Sequence, residues 1–156
     1  MNRVALLDVN FLIALFDADH IHHETAHDWF ADHRSHGWAT CPLTEAGFIR
    51  VTTSSSYGGT QRAGDVIARL RRFCQSGDHT FWAATLSLQD DRVFDAALIR
   101  GSRQITDIYL LGLAVRMNGC LTTFDRGIPL SAVIGATREH LSVIAPVDPG
   151  HAAPAS

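Results

Sequence analysis

Residues 106–128, TDIYLLGLAVRMNGCLTTFDRGI, set an almost wholly apolar run between two aspartates, Asp107 and Asp125. Asn118-Gly119 is a turn signal that divides the run. Before it lies an apolar helix from 106 to about 117; after it, CLTTF reads as a buried strand. A helix of about eleven residues rises roughly 16 Å, and about five strand residues return roughly the same distance. The two lengths cancel. The spacing therefore predicts that Asp125 comes back to the edge at which Asp107 began, with the helix laid across a sheet.

The same alternation runs through the chain. RVALLD (3–8) reads as a strand, NFLIALFD (10–17) as a helix with Asn10 near its cap, and HIHHETAHDWFADHR (20–34) as a second helix. GWATC (37–41) is a strand, and Pro42 opens the helix PLTEAGFIRVTT. After the polar, glycine-rich loop SSSYGG (54–59) come an amphipathic helix at 60–77, a strand at 79–84 and a short helix at 91–100. LSVIAP (141–146) is the last strand, and 147–156 reads as a flexible tail. Strands alternating with helices argue for an α/β fold with a mostly parallel central sheet, one domain over 1–146. Such sheets bind ligands at the carboxyl ends of their strands.

Four acids are expected at that edge. Asp8 closes the first strand, Glu45 lies in the first turn of the helix after the second, Asp107 begins a helix and Asp125 follows a strand. Each alone has a plain structural use as a cap, a first-turn charge or a turn residue. Four on one edge point to a common cause. Packed carboxylates repel unless protonated or neutralised, and the chain has no lysine; Arg126 is the arginine adjacent to them in sequence. Oxygen donors of this kind suit a hard divalent cation, Mg²⁺ or Mn²⁺.

Composition narrows the rest. The net charge of −3 advertises no global field for nucleic acid. Cys41, Cys74 and Cys120 are scattered without metal-ligand spacing and read as reduced thiols of a cytoplasmic protein. No stretch has the length and apolarity of a membrane span or the cleavage site of an export signal. A phosphoacceptor receiver domain, also α/β with clustered acids and Mg²⁺, would need a late lysine that is absent.

LLDVNFLIALFD, TEAGFIRV and TDIYLLGLAVRMNGCLTTFDRGI together resemble the PIN-domain ribonucleases, and more narrowly the VapC toxins of bacterial type II toxin–antitoxin modules. The resemblance runs from about residue 4 to 145, and HIHHETAHDWF is similar to the family's histidine-rich entry to its second helix. It implies a PIN-like three-layer sandwich and Mg²⁺- or Mn²⁺-dependent endonucleolytic cleavage of RNA. It also implies a VapB-type antitoxin partner and a homodimer. The family's acidic quartet carries over onto Asp8, Glu45, Asp107 and Asp125, with Asn10 and Thr123 as supporting polar residues. Asp8 and Asp107 are expected to bind metal most directly. Glu45 and Asp125 would complete the shell, bind a second ion or orient water. A non-catalytic PIN-fold module that binds RNA or protein is the alternative.

RNA contacts are expected from Arg62, Arg69, Arg71 and Arg72 on one helix, then Arg92, Arg100 and Arg103, with Tyr57 as a stacking residue. Trp38 and Phe81 are expected to be buried in the sheet, and Trp82 is a further aromatic that could stack on a base. His20, His22, His23 and His27 crowd one segment, and HETAH (23–27) satisfies the H-E-x-x-H pattern of zinc proteases. With no third ligand placed nearby, a solvated or partner-facing helix is the expected role.

Overall fold

The structure is a computed structural model that describes residues 2–145; the tail expected at 147–156 lies outside the described residues, as does Pro146. Five strands form one sheet: β1 (Ala5–Leu7), β2 (Trp38–Thr40), β3 (His79–Phe81), β4 (Cys120–Thr123) and β5 (Leu141–Val143). The spatial order is β3-β2-β1-β4-β5 and every pairing is parallel. The chain builds outward from β1 to β3, then crosses to the other side of β1 for β4 and β5. The strand order thus reverses between β1 and β4, and there the crevice of a parallel sheet opens.

Helices cover both faces. On one lies α5 (Ile105–Arg116), buried continuously from Ile108 to Ala114 and packed with Leu6, Ala39 and Leu121. On the other lie α1 (Val9–Phe16), α2 (His23–His33), α3 (Pro42–Thr52) and α4 (Ala63–Gln75). Their Phe11, Phe30, Phe48 and Leu70 join Ala5, Leu7 and Trp38 in a second core. The expected three layers are present. β1 and β2 are buried on both faces, which is why they read as short apolar runs without alternation.

Several local expectations are corrected. Asn10 does not cap α1: the chain turns from β1 to helix at Asp8, which holds an extended backbone and accepts the Val9 N–H at 2.8 Å. α5 starts one residue before Thr106, at Ile105, and α2 and α4 are shorter at both ends than the sequence pattern suggested. β3 stops at Phe81 and β5 at Val143. Phe81 lies on the edge strand and is 52% exposed, whereas Trp82, just past the strand, is the buried ring.

No helix forms at 91–100. That stretch crosses the outer side of α5 as turns and a 3₁₀ turn at Ala96–Leu98, tied by an isolated bridge between Phe94 and Val133. Its apolar residues, which mimic helical spacing, are used as anchors: Phe94 is fully buried, and Val93, Leu98 and Ile99 pack beside it.

Phe94 seats against Gly112 of α5. A Cβ there would stand 2.6 Å from the ring. Gly112→Ala is therefore expected to destabilise the protein by about 1–3 kcal/mol, the usual cost of overpacking a filled core. Urea unfolding checks it; unchanged or increased stability would show that the loop yields freely.

Candidate active site

Three of the four expected acids meet where the strand order reverses. Asp8 leaves β1, Asp125 follows β4 and Asp107 lies in the first turn of α5. β1 and β4 pair in register, Leu7 against Thr122, and the Asp8 N–H continues the ladder onto the Thr122 carbonyl at 3.0 Å. Asp8 and Thr123 are thereby side by side. Thr123 donates its hydroxyl proton to Asp8 Oδ2 at 2.7 Å. Its oxygen accepts from the Asn10 amide at 3.2 Å and from the Asp125 N–H at 3.0 Å. Asn10 also accepts the Phe124 N–H at 3.3 Å. Asp125 folds into an Asx turn, accepting the Gly127 N–H at 2.8 Å. Asp8, Asn10, Thr123 and Asp125 are held by the sheet end and by α1, and Asp107 by α5.

The electrostatics are unfavourable to charge. Burial pushes the Asp8 carboxyl above its ordinary range; hydrogen bonds from Thr123 and Val9 oppose this, and Asp125 adds repulsion. Asp107 is raised to about 7, first by burial, then by repulsion from Asp8 and by a hydrogen bond and repulsion shared with Asp125. A helix N-terminus stabilises a nearby anion by about 0.3–1 kcal/mol. Here burial and two neighbouring carboxylates outweigh it. The Asp125 carboxyl thus favours the protonated form of Asp107.

Glu45 has partners of its own: its Oε2 accepts the Thr40 hydroxyl at 2.7 Å, and the titratable groups it acts on are His79 and Cys74. Among the described residues no group of three or more histidine, cysteine, aspartate or glutamate side chains is arranged to hold a metal ion. The donor type fits a hard cation, because Asp8, Asp107 and Asp125 offer oxygen only. Mg²⁺ keeps several waters and is commonly bound through one or two carboxylates, so it does not need an all-protein shell.

The other expected contacts are distributed differently. Arg69 donates to the Phe16 carbonyl at 2.7 Å and lies over the Phe16 ring. Tyr57 donates its hydroxyl to Asp17. Both therefore close the C-terminus of α1. Arg92 pairs with Asp90. Arg62, Arg71 and Arg72 on α4 and Arg100 and Arg103 before α5 are exposed. Trp38 and Trp82 are buried and present no stacking face. In HETAH, His23 Nδ1 donates to the Ala14 carbonyl at 2.8 Å, capping α1, and Glu24 is exposed. The segment holds a helix end. Sequence reading missed Thr40 as the partner of Glu45, and His79 as the partner of Thr40, the latter because that contact is made across β2 and β3.

A family model describing the PIN domain matches residues 5–133. The chain is 42% identical over 140 residues to a Mycobacterium tuberculosis protein named Ribonuclease VapC44, covering 90% of this chain and 99% of that one. It is 48% identical over 129 residues to Ribonuclease VapC38, covering 80% and 87%. To Ribonuclease VapC39 it is 39% identical over 132 residues, covering 84% and 95%. Both of these are also from M. tuberculosis.

The raised pKa of Asp107 fixes the sign of a pH effect. Its folded-state value of about 7 exceeds the ordinary 3.8, so its protonated form favours folding. That contribution is complete below about 3.8 and is lost as pH rises through about 7. In metal-free protein the urea midpoint is expected to fall across this window, and Asp107→Asn to flatten the fall. Parallel pH profiles for the two proteins would refute the assignment.

Proposed function

This chain belongs to the PIN-domain family, and on that footing we propose that it is a divalent-metal-dependent endoribonuclease, the toxin of a toxin–antitoxin module. The observation that carries the reading is the meeting of Asp8, Asp107 and Asp125 at the β1–β4 reversal, where burial and mutual repulsion favour neutralisation by a cation. The names of the relatives, which call them ribonucleases, support RNA as the substrate class.

In this reading Asp8, Asp107 and Asp125 hold Mg²⁺ or Mn²⁺, and Glu45 takes part from beside them. The ion, when bound, polarises phosphoryl oxygens and lowers the pKa of a water. The protein's share is placement. Thr123 fixes one Asp8 oxygen, and Asn10 steadies Thr123 and the start of the Asp125 turn; Asp107 would hold the cation in its ionised form. Water would attack phosphorus in line, the bond from phosphorus to the 3′ oxygen would break, and the proton lost by the water would end, through solvent, on that 3′ oxygen, giving 5′-phosphate and 3′-hydroxyl ends.

The partner in this reading is a VapB-type antitoxin, with self-association into a homodimer. A groove of about 580 Å³ between α2 and α4 supports a protein partner, with Phe30 and Phe73 in its wall and Arg34 and Arg72 among its polar residues. Its lining suits an apolar segment carrying acids. Among the described residues no helix is long and apolar enough to cross a membrane, and the proposed compartment is the cytoplasm.

The test is cleavage of single-stranded RNA with Mg²⁺ or Mn²⁺, with and without chelator, by the protein and its Asp8→Asn variant. Metal-dependent cutting is expected, reduced about 100-fold or more in the variant. Equal cutting by both would remove Asp8 from the site. Tight RNA retention with no cutting by either would favour the non-catalytic module.

A further inference from the structure

We propose that His79 and Thr40 are positioning residues for Glu45, joined to it by a one-way hydrogen-bond chain from the His79 ring through the Thr40 hydroxyl to the carboxylate. The inference rests on the reading of Glu45 as a site acid. Thr40 Oγ1 donates to Glu45 Oε2 at 2.7 Å and lies 2.8 Å from His79 Nε2. A hydroxyl has one proton to give, and an ionised carboxylate can only accept. The Thr40 proton therefore goes to Glu45, the Thr40 oxygen accepts, and His79 must carry its proton on Nε2.

The sheet builds this chain. β2 and β3 pair with Trp38 opposite His79 and Thr40 opposite Phe81, so His79 and Thr40 are diagonal neighbours within reach of a long side chain. The His79 ring packs on Trp38 with centroids 4.6 Å apart, and Thr40 is fully buried. Burial confines Thr40, and the half-buried His79 is held on one side by the Trp38 ring. Glu45 is three residues into α3, whose first residue, Pro42, follows β2 after Cys41 alone, so the strand end and helix start fix its backbone. The chain then fixes its carboxylate by one oxygen. Among the described residues Oε1 has no hydrogen-bond partner, which leaves it to a cation or to the attacking water. Carboxylates that serve metals are commonly oriented by such outer partners.

Glu45 and the aspartates are thus held by separate hydrogen-bond networks. The trio is knitted by Thr123 at the end of β4; Glu45 is knitted by Thr40 at the end of β2. Two threonines, one strand-end apiece, address two different carboxylates.

The experiment uses the full chain. Thr40→Val keeps volume and removes the hydroxyl, and Thr40→Ser restores it; His79→Phe removes the donor, and His79→Gln returns an N–H at similar reach. Manganese affinity by calorimetry, RNA turnover, and the ¹⁵N shifts of His79 are measured. Thr40→Val and His79→Phe are expected to lose about 10–100-fold in manganese affinity or kcat with KM for RNA little changed, and Ser and Gln to recover most of it. His79 is expected as the Nε2–H tautomer in the wild-type protein. Wild-type affinity and turnover in Thr40→Val and His79→Phe would overturn the proposal, as would Gln behaving no better than Phe, or an Nδ1–H tautomer. A wild-type protein that neither takes up manganese nor cuts RNA would overturn the ribonuclease reading first and this proposal with it; a wild-type protein that does both while the variants match it defeats the proposal alone.

Discussion

Carboxyl groups crowded at the end of a buried parallel sheet resist being charged together. Asp8 is 5% exposed, and Asp107 and Asp125 share a hydrogen bond beside it. The sheet imposes this crowding. β1 is central, β4 lies against it, and the strand order reverses between them, the place where parallel sheets commonly bind ligands. A chain that places three acids there accepts desolvation and repulsion, which the proposed cation would relieve. The raised Asp107 is the measure of that bargain.

The surrounding structure is organised to keep the acids from moving apart. α1 begins at Asp8 itself, with no linker, so the helix and the carboxylate are one rigid object. The far end of that helix is secured three times: His23 on the Ala14 carbonyl, Arg69 on the Phe16 carbonyl, and Tyr57 on Asp17. Orphan carbonyls at a helix end need such donors. α5, buried from Ile108 to Ala114 between the sheet and the Phe94 anchor, fixes Asp107 from the opposite layer.

Much of this was legible in sequence, and for physical reasons. Apolar runs without alternation marked β1 and β2, because a parallel strand buries both faces. The equal reach of α5 and β4 brought Asp107 and Asp125 back together, because rise per residue is a constant of each element. What was not legible depends on partners distant in the chain. DRVFDAALIR has helical spacing, yet Phe94 and its neighbours answer to α5 and Val133 rather than to one another. Phe81 looked like core and is an edge-strand residue, since the sequence of a strand does not state its place in the sheet. Arg69 and Tyr57 looked free for RNA and are instead bound to α1. Glu45 shows the same limit: its position on the rim followed from Pro42 and β2, but its link to His79 required the pairing of β2 with β3.

Anomalous diffraction from crystals grown with manganese tests the central claim most directly. The account predicts a peak among the carboxylates of Asp8, Asp107 and Asp125, at ligand distances near the roughly 2.1 Å of a hard octahedral cation. Millimolar manganese leaving that junction empty, with the Asp107–Asp125 hydrogen bond intact, would contradict it.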